Sequence, residues 1–368
     1  MRNRYLDLLR AVATVRVVIY HITGWAAFTV VFPAMSVMFA LAGSLMAASL
    51  DRFGVWAVER RIRRLLPSLW VLALIAVPVM LLSGTSAWNA MLLFWGFPIV
   101  TPEATGWWVQ GLGHVWYLRD FLWMVLLSPL ALPVYRRFPL ATIVTPYLAL
   151  SGITLAGITV PPVAQGLALY GGAWLLGFAH HDGHLERLGR KRLLGVAAAL
   201  AVPAVAWVAT HPGPRGWDLN DIPLGNALWS AAFILVALGC VRPVVRGNRA
   251  LTVLNARALT IYLWHVPAVV AVTRWGERHD MRIDGLVGVA WRIVAVFVLL
   301  AVLVAAFGWV EDVAAGRRPA LLPGRRIPVP VSPAPAGPAP RRPVHAEPGG
   351  PESGRPGRSR PEPAVSVR

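Results

Sequence analysis

The sequence predicts an all-α integral membrane protein with about ten transmembrane helices, and three observations support this. Apolar segments of roughly 16 to 25 residues recur along nearly the whole chain, a length that crosses a hydrocarbon core of about 30 Å. The chain is 57% hydrophobic and 14% charged, whereas about a quarter of the residues in a soluble domain are charged. Positive charges are concentrated in alternate loops, as they are on the cytoplasmic side of membrane proteins.

The predicted spans follow the apolar segments in order. They cover residues 6–26, 31–50, 66–83, 115–134, 139–158, 162–180, 193–210, 223–241, 258–275 and 285–310. With the N-terminus inside, the outer loops contain only Arg215, Arg278 and Arg282. The other loops contain Arg52, Arg60, Arg61, Arg63, Arg64, Arg136, Arg137, Arg187, Arg190, Lys191, Arg192, Arg242, Arg246, Arg249 and Arg257. This asymmetry predicts that both termini are cytoplasmic.

One apolar segment does not fit this series. Residues 87–100 read AWNAMLLFWGFPIV, which is short for a full crossing and includes Pro98. If this segment crossed the membrane, the sequence YRRF at residues 135–138 would lie outside and the charge pattern would be broken. We therefore expect a re-entrant or interfacial segment near residues 87–100.

The end of the chain has a different composition from the rest. Residues 317–368 are dense in proline, arginine and glycine, and such a segment buries too little apolar surface to fold. We expect one transmembrane domain over residues 1–316 and a disordered cytoplasmic tail over residues 317–368. The tail is either a solvated extension or a basic segment that rests on anionic lipid.

The net charge of +18 has a simple explanation in a membrane protein. The arginines lie mostly in short loops and in the tail, where they orient the protein in the membrane, so no nucleic-acid partner is expected. The single cysteine, Cys240, excludes an internal disulfide. The arginine, alanine, glycine and proline usage suggests a bacterial source, and we expect a multi-pass protein of the cell membrane with membrane lipid around it.

The first predicted span contains ionisable residues that an ordinary membrane helix lacks. Arg10 and His21 are eleven residues apart, which places them about 20° apart on one helix face and about 16 Å apart along the axis. Asp7 precedes Arg10 by three residues and is placed to pair with it. Arg16 points about 240° away from Arg10, towards a partner that the sequence does not identify.

Ionisable groups are costly in hydrocarbon and usually face a polar cavity. Histidine is also the side chain best suited to proton transfer near neutral pH. The shared face therefore suggests a polar tunnel, with Arg10 holding an anionic ligand near the cytoplasm and His21 acting at its reactive end. A buried, hydrogen-bonded histidine without a catalytic role is the alternative.

A second cluster opens the third predicted span with the sequence ERRIRRLLPSLW, residues 59–70. Arg61 and Arg64 lie on one helical face and present forked donors that suit phosphate. Anchoring by positive charge at the cytoplasmic surface is the simpler explanation of the same residues. If the site does bind phosphate, coenzyme A thioesters and polyprenyl phosphates are both suitable ligands.

A histidine group is also visible in the predicted loop HHDGH. His180, His181 and His184 have a spacing that could suit a metal, but neither a cysteine nor a second ligand group accompanies them in this segment. We therefore expect a solvated loop and no metal site.

Several segments, in order, resemble the membrane-bound acyltransferase family 3. The opening YLDLLRAVATVRVVIYH, residues 5–21, is similar to that family's first helix, with Asp7, Arg10 and His21 in the characteristic places. Arg61 and Arg64 ahead of Pro67 match its arginine pair. The remaining similar segments are FALAGSL (residues 39–45), GHVWYLRDFLWMVLLSPL (113–130) and IYLWHVP (261–267).

This resemblance implies ten or so transmembrane helices and transfer of an acyl group, commonly acetyl, from acyl-CoA to a hydroxyl. The acceptor would be a carbohydrate, a glycolipid or a glycosylated small molecule, with acyl-CoA as a substrate and no permanently bound cofactor. His21 would be the catalytic histidine, and Arg10, Arg61 and Arg64 would support the acyl donor. The matched segments add His114, Trp116, Tyr117, Trp264 and His265 as supporting candidates, although aromatic belts also place tryptophan and tyrosine at span ends.

The sequence departs from the family pattern at a few positions. Ala42 stands where the family has serine, and Ser36 stands where an aspartate is common. The acidic residue expected after the His-x-Trp segment aligns with Phe121 or Leu122, next to Asp120. These differences concern the acceptor side and any acidic partner of His21.

The resulting hypothesis is that His21 acts as a general base on the acceptor hydroxyl, with a covalent acyl-histidine as the alternative route. Arg10 lies too far from His21 along the helix to polarise the reacting carbonyl directly. A transporter or flippase for a lipid-linked glycan would also need buried arginines and a polar cavity. A catalytically degenerate family member is a further alternative.

Overall fold

The computed structural model describes residues 4–82, 95–99, 111–241 and 249–321. Within these ranges the chain is helical apart from turns and short loops, and it contains no β-strand. The helices are α1 (Arg4–Thr23), α2 (Ala27–Val31), α3 (Ala34–Phe53), α4 (Trp56–Leu82), α5 (Trp116–Arg137), α6 (Pro139–Leu155), α7 (Pro162–His181), α8 (His184–Leu188), α9 (Arg190–Thr210), α10 (Pro223–Ile234), α11 (Arg249–Ala256), α12 (Ala258–Arg278), α13 (Gly285–Phe307) and α14 (Trp309–Ala314). The prediction of an all-α protein is confirmed for this part of the chain.

Five helical segments in the described ranges are long and apolar enough to cross a membrane. They are Ala27–Phe53, Gly113–Arg137, Arg190–Thr210, Pro223–Cys240 and Gly285–Phe307. The pair α11 and α12, which is bent by 74°, makes six if it is one broken span. Each of the ten predicted spans lies largely on a helix of the structure, but the number of crossings and the cytoplasmic termini stay predictions.

The N-terminal boundary of α4 differs from the predicted span. The helix begins at Trp56, ten residues before the apolar segment that starts at residue 66. Arginine, glutamate and leucine are all good helix formers, so the helix continues past the end of the apolar stretch. Arg61 and Arg64 are therefore helical residues, not loop residues.

Two predicted segments lie largely or wholly outside the described residues. Of the segment 87–100, only residues 95–99 are described, and there Trp70 Nε1 donates to the Gly96 carbonyl at 3.2 Å and Trp123 Nε1 donates to the Ile99 carbonyl at 3.1 Å. The predicted tail is described only up to residue 321. Residues 1–324 form one compact unit that contains all the described helices.

Helices α3 and α7 approach each other closely at two glycines. A Cβ atom on Gly43 would collide with the backbone of Trp174, and one on Gly177 would collide with the backbone of Ala40 and Ser44. Small residues allow this close approach, which is a common way to pack helices in a membrane. The contact brings Phe39 and Tyr170 to a ring separation of 4.8 Å, and Tyr170 lines the cavity described below.

The variant Gly177→Ala should therefore be destabilised by about 1–3 kcal/mol, because overpacking forces the two backbones apart. Gly195→Ala is the matched control, since Gly195 lies within α9 with open space around its Cα. Alanine there should be neutral or stabilising by up to about 1 kcal/mol. Thermal unfolding in detergent, followed by tryptophan fluorescence, measures both changes. Equal melting temperatures for the two variants would contradict the packing described here.

Candidate active site

Two cavities are lined by different residues of α1. The first, called the histidine cavity, has a volume of about 450 Å³. It is lined by Arg16, Val17, Tyr20, His21, Met35, His114, Trp116, Arg119, Asp120, Pro162, Gln165, Gly166, Leu169, Tyr170, Arg215, Asn220, Tyr262 and His265. The second, called the arginine cavity, has a volume of about 890 Å³, and its lining includes Arg10, Arg52, Arg60, Arg61, Arg63 and Arg64.

Aromatic side chains form a wall between the two cavities. Tyr262 of α12 lines both of them. The neighbouring residues Trp116 and Tyr117 divide between them, with Trp116 lining the histidine cavity and Tyr117 the arginine cavity. The rings of Tyr117 and Tyr262 are 5.3 Å apart, and the Tyr262 hydroxyl donates to the His114 carbonyl. The described residues thus line two neighbouring cavities that share Tyr262, and the polar tunnel suggested by the sequence stays a prediction.

Three histidines from separate parts of the chain meet beside the histidine cavity. His21 and His265 have ring centroids 4.8 Å apart, and His265 and His114 have centroids 5.0 Å apart. His265 is completely buried and His114 is buried, whereas His21 is exposed to the cavity that it lines. His21 is therefore the histidine of this group best placed to meet a ligand.

Hydrogen bonds determine which nitrogen of His21 carries the proton. Its Nδ1 lies 2.9 Å from the Val17 carbonyl, and because a carbonyl oxygen only accepts, Nδ1 is the donor. The Nδ1 of His265 likewise donates to the Tyr262 carbonyl at 2.6 Å. This leaves His265 Nε2 as an acceptor, 3.3 Å from His21 Nδ1. Neutral His21 therefore keeps the lone pair on Nε2, as a general base requires.

Arg10 and His21 face different compartments, although they share one helix. Arg10 lines the arginine cavity and His21 lines the histidine cavity, with Tyr262 between them. The calculated axial offset of about 16 Å therefore separates a residue of one cavity from a residue of the other. Asp7 is buried, and its carbonyl accepts a hydrogen bond from the Asn255 side chain at 2.8 Å. The pairing of Asp7 with Arg10 stays a prediction.

The arginines of the arginine cavity differ in their contacts with the rest of the protein. Arg63 forms an ion pair with Glu59 one turn earlier, and Arg60 stacks on the Phe53 ring at 3.9 Å. Among the described residues, no hydrogen bond or ion pair joins Arg61 or Arg64 to a protein acceptor. These two guanidinium groups are therefore available to an anion that enters the cavity.

Among the described residues, Glu311 is the acidic residue in the lining of the arginine cavity. The Oε1 atom of Glu311 accepts hydrogen bonds from the backbone nitrogen and the hydroxyl of Thr260, each at 2.5 Å. Glu311 lies in α14, after the last apolar helix, and burial raises its pKa. This carboxyl group is therefore already hydrogen-bonded to Thr260.

Trp264 has a different environment from the other supporting candidates. It stacks on Phe307 with a ring separation of 4.6 Å and an interplanar angle of 5°, and it lines neither cavity. The structure brings His114, Trp116, Tyr117 and His265 to the wall or to the histidine cavity. Trp264 instead packs α12 against α13.

Several charged residues of the histidine cavity were not assigned by sequence reasoning. Arg119 and Asp120 form a buried ion pair at 2.7 Å, and Asp120 is the acidic residue next to the position expected from the family pattern. Arg215, from the loop between α9 and α10, donates to the Tyr20 hydroxyl at 2.7 Å. The Arg119-Asp120 dipeptide in an apolar segment was the available signal, whereas nothing in the sequence connected residue 215 with α1.

Hydrogen bonds from Arg215 hold the loop between α9 and α10 in place beside the histidine cavity. Its Nη2 donates to Asp221 at 2.6 Å, and these bonds lower the pKa of Asp221. Tyr20 in turn donates to the buried Asp218 at 2.5 Å. The loop is thus tied to the helix that carries His21.

His180 and His181 end α7 and His184 begins α8, and none of these histidines lines either cavity. His181, Asp51 and Asp182 bring their ligand atoms within 4.8 Å of one another. Arg136 donates to both carboxylates, at 2.8 Å to Asp51 and 2.8 Å to Asp182, so its guanidinium occupies the space between them. This is the geometry of an ion-pair network.

Comparison with known families identifies the class of this protein. A family model described as an acyltransferase domain, that of the acyltransferase-3 family, matches residues 3–310. Because this match covers most of the chain, the protein belongs to that family, whose members are membrane acyltransferases. No match was found among curated proteins or among solved structures.

Proposed function

We propose that this protein transfers an acyl group, acetyl in the first instance, from acyl-CoA to a hydroxyl group. The acceptor would be a carbohydrate, a glycolipid or a glycosylated small molecule, and the protein would work in the cell membrane of a bacterium. The observation that carries the proposal is the pair of cavities that share Tyr262. One contains Arg61 and Arg64, which have no protein acceptor among the described residues, and the other contains His21.

The donor would bind in the arginine cavity. Arg61 and Arg64 present forked donors that suit the phosphates of coenzyme A, and Arg10 adds a positive charge to the same cavity. Ligand cavities usually have volumes of about 300–1,000 Å³, and the arginine cavity at about 890 Å³ lies in that range. The predicted cytoplasmic position of these arginines agrees with a cytoplasmic donor.

The reaction would take place at the wall. The thioester would pass Tyr117 and Tyr262 to reach His21, and the acceptor hydroxyl would lie in the histidine cavity. His21 Nε2 removes the hydroxyl proton while the hydroxyl oxygen forms a bond to the thioester carbon. The carbon–sulfur bond then breaks, and the proton returns from His21 to the departing CoA thiolate.

Two neighbouring residues would hold His21 in position for this step. The Val17 carbonyl and His265 Nε2 both accept from His21 Nδ1, and these bonds favour the form with the lone pair on Nε2. They also stabilise the positive charge that His21 gains when it takes the proton. In the alternative route, His21 Nε2 attacks the thioester itself and carries the acyl group to the acceptor.

Labelled acyl-CoA distinguishes an enzyme from a transporter. Membranes that contain the protein, incubated with acetyl-CoA labelled in the acetyl group, should release free CoA and gain label in a glycan or lipid fraction. Membranes with the His21→Ala variant should do neither. If no donor from acetyl-CoA to longer acyl-CoAs yields CoA or labelled product, the acyltransferase proposal is wrong and a transport or binding role is favoured.

A further inference from the structure

Arg16 is a buried cation in the compartment that holds His21. Only 8% of its surface is exposed, and it lines the histidine cavity together with His21, five residues later on α1. Its Nε donates to the Phe28 carbonyl at 2.9 Å, and its guanidinium lies over the Tyr20 ring at 5.0 Å. Its other N–H groups have no hydrogen-bond acceptor among the described residues.

The other arginines that line this cavity are neutralised by carboxylates. Arg119 pairs with Asp120 at 2.7 Å. Arg215 pairs with Asp221 at 2.6 Å and lies 3.3 Å from Asp218. Within the part of the chain that the structure describes, Arg16 is therefore the lining arginine that has no carboxylate within ion-pair distance.

Asp218, an acidic residue that contacts the Tyr20 hydroxyl, already has hydrogen-bond partners. Asp218 is fully buried, one of its oxygens accepts from the Tyr20 hydroxyl, and the other accepts from the Asn220 backbone nitrogen at 3.0 Å. The Tyr20 ring lies between Asp218 and Arg16. Asp218 therefore attracts the Arg16 charge through space, without a hydrogen bond or ion pair to it.

A buried charge without a partner is costly, and in a membrane protein such a residue usually serves a ligand. We propose that Arg16 binds an anionic group of the acceptor, a carboxylate or a phosphate, and so places the acceptor hydroxyl at His21. This inference rests on the proposed acyltransferase function and adds the charge of its acceptor. Five residues of helix rise by about 7.5 Å, so one sugar unit or one lipid headgroup reaches both side chains.

The geometry also indicates why an anion suits this position. A guanidinium with free N–H groups binds a carboxylate or a phosphate through two parallel hydrogen bonds. The burial of Arg16 and its position over the Tyr20 ring exclude water from the charge, which strengthens those bonds. A neutral acceptor would leave Arg16 buried and unpaired, and it should bind less tightly for that reason.

The test uses the purified full-length protein, two probes of closely similar shape that differ in charge, and a third probe that carries a phosphate. The probes are 4-nitrophenyl β-D-glucuronide and its neutral glucuronamide, with 4-nitrophenyl β-D-glucoside 6-phosphate as the phosphate arm. Their affinities are measured by equilibrium dialysis without acyl-CoA, so that binding is scored independently of turnover. The wild type should bind at least one anionic probe about tenfold or more tightly than the glucuronamide. The anionic probe that binds more tightly shows whether the site prefers a carboxylate or a phosphate.

Substitutions at Arg16 assign the preference to this residue. Arg16→Gln should lose the preference for the anionic probe, and Arg16→Lys should keep part of it. Arg292→Gln is the control for loss of one positive charge, because Arg292 lies in α13 and lines neither cavity. It should behave as the wild type. Melting temperatures of all variants show whether loss of the Phe28 contact has unfolded the protein.

The outcomes separate this inference from the proposed function. Equal affinity of the wild type for charged and neutral probes, or no binding of any probe, overturns the role of Arg16 even if acetyl-CoA is consumed. An unchanged preference in a folded Arg16→Gln protein does the same. Charge-selective binding that is lost in Arg16→Gln, without acyl transfer from any donor, supports the anion site and contradicts the acyltransferase proposal.

Discussion

Replacement of His21 with alanine should lower the rate of acyl transfer by about 10²- to 10⁴-fold, the usual contribution of a positioned general base. His21 lines the cavity proposed for the acceptor, is exposed to it, and has the Nε2 lone pair free of any protein partner in the described residues. Alanine removes that base and leaves space for water, which cannot be held in the same orientation. The measurement is kcat for CoA release with acetyl-CoA at saturation.

His279→Ala is the matched control for His21→Ala. His279 is exposed, follows α12 and lines neither cavity, so its loss should leave kcat unchanged. Imidazole added to the His21→Ala variant should restore part of the rate if His21 is a base. Acyl transfer at the wild-type rate by a folded His21→Ala protein would contradict the assignment.

The double variant Arg61→Ala/Arg64→Ala should bind acetyl-CoA at least about tenfold more weakly, with a much smaller change in kcat at saturating donor. Hydrogen bonds between charged groups contribute about 1.5–3 kcal/mol each, and 1.4 kcal/mol corresponds to a factor of ten in affinity. Arg61 and Arg64 have no protein acceptor among the described residues, so their contacts are available to phosphate. Titration of the donor gives the affinity directly.

Two controls separate phosphate binding from a general loss of charge. Arg63→Ala removes an arginine from the same cavity that is already paired with Glu59 and largely exposed, so its effect should be small. Acetyl-pantetheine, which lacks the nucleotide phosphates, should bind to the double variant as it does to the wild type. An equal loss of affinity for acetyl-CoA and acetyl-pantetheine would contradict the phosphate role.

Local features of the site could be predicted from the sequence because they depend on one helix. Periodicity placed Arg61 and Arg64 on one face, and both line one cavity in the structure. The same reasoning placed Arg10 and His21 on one stripe of α1. It did not show that the two residues line different cavities, because Tyr262, which lines both cavities, comes from a helix more than 240 residues later in the chain.

Long-range contacts account for the rest of the site. His265 reaches His21 across 244 residues of sequence, and Arg16 finds its acceptor in Phe28 on the short helix after α1. No pattern within a single segment specifies such contacts, because they depend on how the helices pack. The excess of arginine in alternate loops predicts which loops are cytoplasmic, but it does not identify which helices cross the membrane.

One measurement tests the central claim, that acyl-CoA and acceptor meet at His21 across the wall formed by Tyr262. The purified protein is given acetyl-CoA with labelled acetyl, together with the acceptor fraction identified in membranes, and released CoA and labelled product are counted in the same sample. Equal amounts of CoA and acylated product in the wild type, and a loss of both by about 10² or more in His21→Ala, are the predicted result. Product formation that continues unchanged in a folded His21→Ala protein would contradict the account.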